Sequence, residues 1–249
     1  MKKEYISEDG WRKILLFFLN SEGMYFKSEE NLKKFIEGVL WLLRTGAQWR
    51  ELPEKYGNWN SVFKRFNNWS KKDVWINFFH FCAEDPDLEY VSSDSTAVRA
   101  HPCAAGYGKQ NEQGLGRSRG GFSSKIHALV ESLGLPLKLL LTPGQQNDKT
   151  KAAELLEGIT NAYVINDKAY DADEYRDQIK RQNCEACIPP RSNRKNLYDY
   201  DKHIYKERHV IECFFSKIKQ FRRVFSRFDK SARNYLSFVN IAGALVWLR

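Results

Sequence analysis

The chain has 249 residues, 42% of them hydrophobic and 14% aromatic, enough to bury a core as one large domain or as a small domain joined to a medium one. Its apolar run at 14–19 is too short for a signal-peptide core, no stretch approaches the roughly 20 apolar residues of a membrane span, and five scattered cysteines do not suggest a disulfide framework, so a soluble protein of a reducing compartment is expected. The formal net charge of +9 is uneven: residues 1–90 are balanced, whereas 191–233 carry thirteen Lys/Arg against five Asp/Glu and 99–125 carry five against one, a distribution suited to phosphate-bearing partners.

Six of the seven tryptophans fall in the first 75 residues, which marks a separate module. Residues 8–82 read as helices with short breaks: GWRKILLFFL, then EENLKKFIEGVLWLLRTG ending at Gly46, a turn-rich WRELPEKYGNW, and NSVFKRFNNWSKKDVWINFFHFC. The tight Pro/Gly segment before the last piece fits a helix-turn-helix. In the helix from about Asn60, Val62, Phe63, Phe66 and Trp69 recur at helical spacing, leaving Lys64, Arg65, Lys71 and Lys72 outward as candidate DNA contacts.

EDPDLEY (84–90) reads as a linker, giving a helical module over 1–85, expected to fold alone, and a second domain over 86–249. In the second domain LEYVSSDSTAV (88–98), SSKIHALVES (123–132) and LPLKLLLTPG (135–144) read as strands, the last two joined by a Leu-Gly turn. DKTKAAELLEGI (148–159) reads as a helix, AYVIND (162–167) as a buried central strand, DADEYRDQIKRQ (171–182) as a helix and CEACIPP (184–190) as a strand, with long helices filling 199–248. Cys184 and Cys187 lack the second ligand pair of a zinc site and read as strand positions. The order describes a mixed α/β sheet covered on both faces.

Two aspartates sit where strands disfavour them: Asp94 inside the first strand and Asp167 at the end of the buried one. Each alone could be turn chemistry. In YKERHVIECFFSKIK (205–219), read as a helix turning about 100° per residue, Tyr205, Arg208, Glu212 and Lys219 fall within roughly 60° of one another, beside an apolar arc of Val210, Ile211, Phe214 and Ile218. An i,i+4 ion pair on a solvated face is one reading of Arg208 and Glu212. The other is a carboxylate held at a core boundary, which with Asp94 and Asp167 could hold two divalent metals about 4 Å apart. Oxygen ligands of this kind suit Mg²⁺ or Mn²⁺.

These blocks resemble bacterial insertion-sequence transposases of the Asp-Asp-Glu class, in the group whose glutamate region reads Tyr-x2-Arg-x3-Glu-x6-Lys, met here by Tyr205, Arg208, Glu212 and Lys219. DSTAVRAH (94–101), GGFSSKIHALVESLGLPLKLLLTPGQQND (120–148), NDKAYDA (166–172), IPPRSNRK (188–195) and FDKSARNYLSFVNIAGALVWLR (228–249) are similar to further family blocks, and TGAQWRELPEKYGNWNSVFKRFNNWSKKDVW (45–75) to the amino-terminal module. Asn166 stands where the family often has alanine, and His209 where asparagine is common.

The resemblance implies a small all-α helix-turn-helix-like domain followed by a ribonuclease-H-like sheet. It implies Asp94, Asp167 and Glu212 as ligands of two Mg²⁺ or Mn²⁺ ions, with Tyr205, Arg208, Lys219, Arg99 and His101 near DNA. The implied activity is cleavage at the ends of an insertion sequence and joining of the 3′-hydroxyls to target DNA, by a homodimer or higher assembly on double-stranded DNA in the bacterial cytoplasm, at the nucleoid. Two other readings stay open: a DNA-binding protein that keeps the fold without recombination, and a metal-dependent nuclease without strand transfer.

Overall fold

The computed structural model describes residues 6–21, 24–118, 120–194 and 198–249; Arg119 of the first basic stretch and Lys195 of IPPRSNRK lie outside these. Four helices open the chain: α1 (Glu8–Asn20), α2 (Glu29–Thr45), α3 (Trp59–Lys71) and α4 (Val74–Cys82). Serine side chains cap the first two by accepting from backbone N–H groups, Ser7 from Gly10 at 3.1 Å and Ser28 from Asn31 at 3.2 Å. Helix α2 stops at Gly46, whose φ of +68° suits glycine, and its N–H closes on Leu42 O.

The sheet consists of β1 (Tyr90–Ala100), β2 (Gly116–Ser118), β3 (Gly121–Glu131), β4 (Pro136–Pro143), β5 (Tyr163–Ile165), β6 (Glu185–Cys187) and β7 (Ser226–Arg227). Strands β4, β3 and β1 pair antiparallel in that order, and β1, β5 and β6 continue in parallel, so β1 is central. Three antiparallel strands followed by parallel ones reached through helices give the ribonuclease-H-like arrangement. Two short strands, β2 on β3 and β7 on the end of β1, are additional to the sequence reading.

Helices α5 (Ala152–Leu156) and α6 (Asp173–Arg181) cover one face of the sheet, burying Leu155, Leu156 and Ile179 against Val91, Leu129 and Val164. On the other face lie α7 (His209–Lys219), α8 (Arg222–Phe225) and α9 (Ala232–Trp247), packed on Val98, Ile126, Ala128 and Val130. Alternate residues of one strand therefore serve two cores, as the two-residue strand period requires.

The second core does not stop at the sheet domain. It is continuous with the buried side chains of α1–α4, so the expected independence of residues 1–85 meets one core shared by both halves. Phe66 of α3 stacks on Phe238 of α9 with ring centroids 4.5 Å apart. Gly243 lets α9 approach both sides: a Cβ there would lie 2.9 Å from Leu139 of β4 and 2.9 Å from Phe79 of α4. Buried on nearly its whole circumference, α9 fills the space between the helical module and the sheet.

Among the described residues no helix is long and apolar enough to cross a membrane. All five cysteines are free, and Cys184 and Cys187 are buried beside and within β6.

Candidate active site

Asp94 lies in the middle of β1, one-quarter exposed. Its Oδ1 accepts from the N–H of Ser95 at 2.7 Å. Burial first, and then the nearby Asp167 and Asp148, push its carboxyl above the ordinary range, against the opposing pull of Ser95 N–H and Arg208. Asp167 lies two residues past the end of β5 and caps a 3-10 turn (Lys168–Tyr170), its Oδ1 accepting from Ala169 N–H at 2.8 Å. The parallel pairing of β1 with β5 brings the two aspartates past the same end of the β1–β5 ladder.

Glu212 stands in the first turn of α7, which packs on β1 and β3 through Ile211, Phe214 and Ile218. Its carboxylate is more than half exposed, at the border of that apolar stripe. The guanidinium of Arg208 joins the helix to the strand: one nitrogen donates to Glu212 Oε1, and another lies 3.5 Å from Asp94 Oδ2. At the far end of α7, Lys219 Nζ donates to Thr96 Oγ1 at 2.5 Å. Thr96 and Asp94 are two apart on β1 and share a face, so Arg208 before α7 and Lys219 at its end are both tied to the strand face that carries Asp94.

Tyr205 departs from the expected continuous helix, because residues Ile204–Arg208 form a 3-10 turn ahead of α7. In a 3-10 turn residues three apart eclipse, so Tyr205 still shares the face of Arg208. Burial pushes its hydroxyl above the usual range, Arg208 pulls it back and Asp167 raises it further, as expected of a group beside both.

The donors are hard oxygens, and Arg208 acts as an internal cation between two of the three carboxylates, so the residues present fit a divalent metal. The three do not form a closed cage: among the described residues no group of three His, Cys, Asp or Glu side chains is close enough to hold one ion. Like charges without a counter-ion repel, and Arg208 fills the gap between Asp94 and Glu212.

Other expected contacts fall elsewhere. Arg99 lies about 16 Å farther along β1 at roughly 3.3 Å per residue and has the opposite strand parity to Asp94, and His101 lies beyond the end of β1. His101 is exposed, and its Nδ1 accepts from Cys103 N–H at 3.2 Å to cap a turn. Lys64, Lys71 and Lys72 are exposed on α3 and the residue after it. Arg65, by contrast, is not outward: its guanidinium lies 4.4 Å from the Phe35 ring centroid and 4.6 Å from that of Trp69, and burial lowers its pKa. The aromatic rings of α2 and α3 attract the cation and cover it.

Sequence reasoning missed a network behind Asp94. Ser95 Oγ donates to Asp148 Oδ1 at 2.6 Å, and Lys125 Nζ donates to the same oxygen at 2.7 Å and to Gln146 O at 2.8 Å. Asp148 closes the GQQND segment, and an aspartate directly after a strand and turn was the available signal. A second missed group follows Asp167: buried Asp171 accepts from Arg176 Nε at 2.8 Å and from Arg191 N–H at 2.9 Å, while Arg191 Nη2 donates to Ala169 O at 2.8 Å. This ties the basic segment after β6 to the turn that carries Asp167.

Known proteins similar to this chain identify its family. A family model described as "Transposase DDE domain" matches residues 87–247, and one described as "Putative transposase of IS4/5 family (DUF4096)" matches residues 6–79. The chain belongs to the DDE transposase family. A Brucella ovis protein named "Putative transposase for insertion sequence element IS6501" is 41% identical over 130 residues, which cover 51% of this chain and 100% of that one. A Burkholderia cepacia protein named "Putative transposase for insertion sequence element IS402" is 25% identical over 135 residues, 49% of this chain and 62% of the relative. Among solved structures, the piggyBac transposase synaptic complex with hairpin DNA aligns with a TM-score of 0.44 at 12% identity, over 78% of this chain and 49% of that one. The protein is thus a DNA transposase, an enzyme of DNA cleavage and strand transfer, and its family depends on divalent metal.

Proposed function

We propose that Asp94, Asp167 and Glu212 are the catalytic carboxylates and hold two Mg²⁺ or Mn²⁺ ions. The observation that carries this reading is Arg208, one guanidinium bound to carboxylates from β1 and α7, of which Asp94 lies past the same end of the β1–β5 ladder as Asp167. When bound, the ions supply the positive charge that in-line phosphodiester displacement requires. The chain's own residues do the remaining work. Asp94, set in the central strand, would be a ligand, joined by Asp167 from a turn and Glu212 from a helix; Arg208 and Lys219 would hold DNA phosphates; and Tyr205, its ring 5.4 Å from that of Tyr200, would brace the 3-10 turn that leads into α7. This is the Tyr-x2-Arg-x3-Glu-x6-Lys pattern read as a working unit.

In this reading residues 86–249 cut and join, and residues 1–85 recognise the terminal inverted repeats of the element, with exposed Lys64, Lys71 and Lys72 toward the duplex. Two ends must be held together, so the working form is a homodimer or higher assembly on double-stranded DNA, in the bacterial cytoplasm at the nucleoid. Asp94→Ala, Asp167→Ala and Glu212→Ala are each expected to abolish Mg²⁺-dependent cleavage of an element-end duplex and to retain binding to it. Normal cutting by any one variant removes that residue from the site.

A further inference from the structure

Strands β1 and β5 pair in register as Tyr90–Tyr163, Val91–Val164 and Ser92–Ile165, and there the ladder ends. Two more steps in the same register would set Asp94 opposite Asp167. Neighbouring strands lie about 4.8 Å apart, and two carboxylates held directly side by side repel. The strands part before that point: Asp94 continues in β1, and Asp167 turns away to cap the 3-10 turn.

The intervening pair, Ser93 and Asn166, is joined by a side chain in place of a backbone rung. Asn166 is fully buried, and its Nδ2 donates to Ser93 O at 2.7 Å and to Ser93 Oγ at 2.6 Å. Its Oδ1 accepts from the buried Tyr175 hydroxyl of α6 at 3.3 Å, and its N–H reaches Cys187 O of β6 at 3.4 Å. Every polar group of the amide is thus committed, and the side chain cannot rotate without leaving buried donors and acceptors unpaired. Each residue of this clamp directly precedes one of the aspartates.

We infer that Asn166 is a positioning residue: it replaces the next rung of the β1–β5 ladder and sets the separation at which Asp94 and Asp167 present their carboxylates. The inference rests on the metal-site reading above. It concerns this chain in particular, because a side chain without an amide at position 166 would leave Ser93 O and Ser93 Oγ without this donor and the two strand ends free to drift.

The test is Mn²⁺ uptake by the full chain, followed by electron paramagnetic resonance, with circular dichroism and melting recorded in parallel. Asn166→Ala is expected to fold and to bind Mn²⁺ about tenfold more weakly, the scale on which supporting hydrogen bonds act at metal sites. A folded Asn166→Ala with wild-type affinity overturns the inference, however much its Tm falls, since a purely structural bond would lower Tm and leave metal uptake alone. If that variant does not fold, Ser93→Ala, which keeps the bond to Ser93 O, is expected to weaken uptake severalfold, and unchanged uptake overturns the inference equally. Asp94→Asn separates the two ideas. Uptake unaffected by Asp94→Asn, or absent in the wild type, defeats the metal-site reading and the inference with it; uptake lost in Asp94→Asn but unchanged in the clamp variants defeats the clamp alone.

Discussion

Lys219 Nζ donates to Thr96 Oγ1 at 2.5 Å, anchoring the last turn of α7 on the strand face that bears Asp94. Burial lowers the lysine's pKa, and no acidic side chain pairs with it among the described ion pairs. A cation held there is poised for a phosphate. Lys219→Ala is expected to weaken DNA binding across sequences and to lower the slope of log affinity against log salt by about one. Thr96→Val, which keeps the charge, is expected to leave the slope unchanged. Fluorescence anisotropy over a salt series checks both; an unchanged slope in Lys219→Ala returns the residue to a purely structural role.

Arg208 occupies the gap between Asp94 and Glu212 with its own positive charge. Replacing it with a neutral side chain should make the carboxylates better ligands for a cation. Arg208→Gln is expected to bind Mn²⁺ in the absence of DNA roughly tenfold more tightly than the wild type, the effect of removing a competing charge within about 4–6 Å. Its affinity for duplex should fall at the same time. Calorimetric titration of the DNA-free chain decides the first point, and equal Mn²⁺ affinities refute it.

Asp94 carries a carboxyl raised above its ordinary range by burial and by Asp167. With a folded pKa above the unfolded one, the fold binds the proton more tightly. The group is neutral in both states at acid pH and costs nothing there; its penalty sets in as pH rises through the unfolded value and is complete above the folded one. Asp94→Asn is therefore expected to raise the Tm of the metal-free chain at neutral pH, by about 2–4 °C for each kcal/mol relieved, and to lose that advantage toward acid pH. Calorimetry over a pH series checks the sign; a lower Tm at neutral pH means that the bond to Arg208 outweighs burial.

Phe238 packs against Phe66 and Trp49 from the helical module, with ring centroids at 4.5 Å and 6.0 Å. Phe238→Ala should cost about 3–5 kcal/mol, and because the core is shared it should lower the stability of both halves in one transition. A fragment of residues 1–85 is expected to lack a cooperative melt. Circular dichroism of that fragment tests this directly, and a sharp transition would show that the helices hold together without α9.

Much of this was legible because the chain uses strong local signals. Gly46 ends a helix as a glycine should, AYVIND is buried as a continuous apolar run, and Asp94 and Asp167 stand out because a strand rejects them. Tyr205, Arg208, Glu212 and Lys219 were expected on one helix face; Arg208 does donate to Glu212, but Lys219 donates to Thr96 and the turn that carries Tyr205 and Arg208 is 3-10. What escaped was non-local or very short. Strands β2 and β7 span three and two residues, too few for any period. Arg65 looked exposed because its covering ring, Phe35, belongs to another helix. The shared core had one sign in FVNIAGALVW, apolar on nearly every side apart from Asn240, which a helix enclosed on both sides requires. Asn166 appeared merely as a departure from a family pattern, since its partner Ser93 lies on another strand.

The position of α9 gives the molecule the mechanics of a fixed calliper. With its flank at Gly243 pressed against both Phe79 and Leu139, the helix leaves no lubricated plane along which one half could slide over the other. In the proposed reading, DNA gripped by the amino-terminal helices is held at a set distance and angle from Asp94. Reach along a bound duplex is then a property of the folded body, alterable by repacking that helix and insensitive to the length of the connecting segment at 84–90.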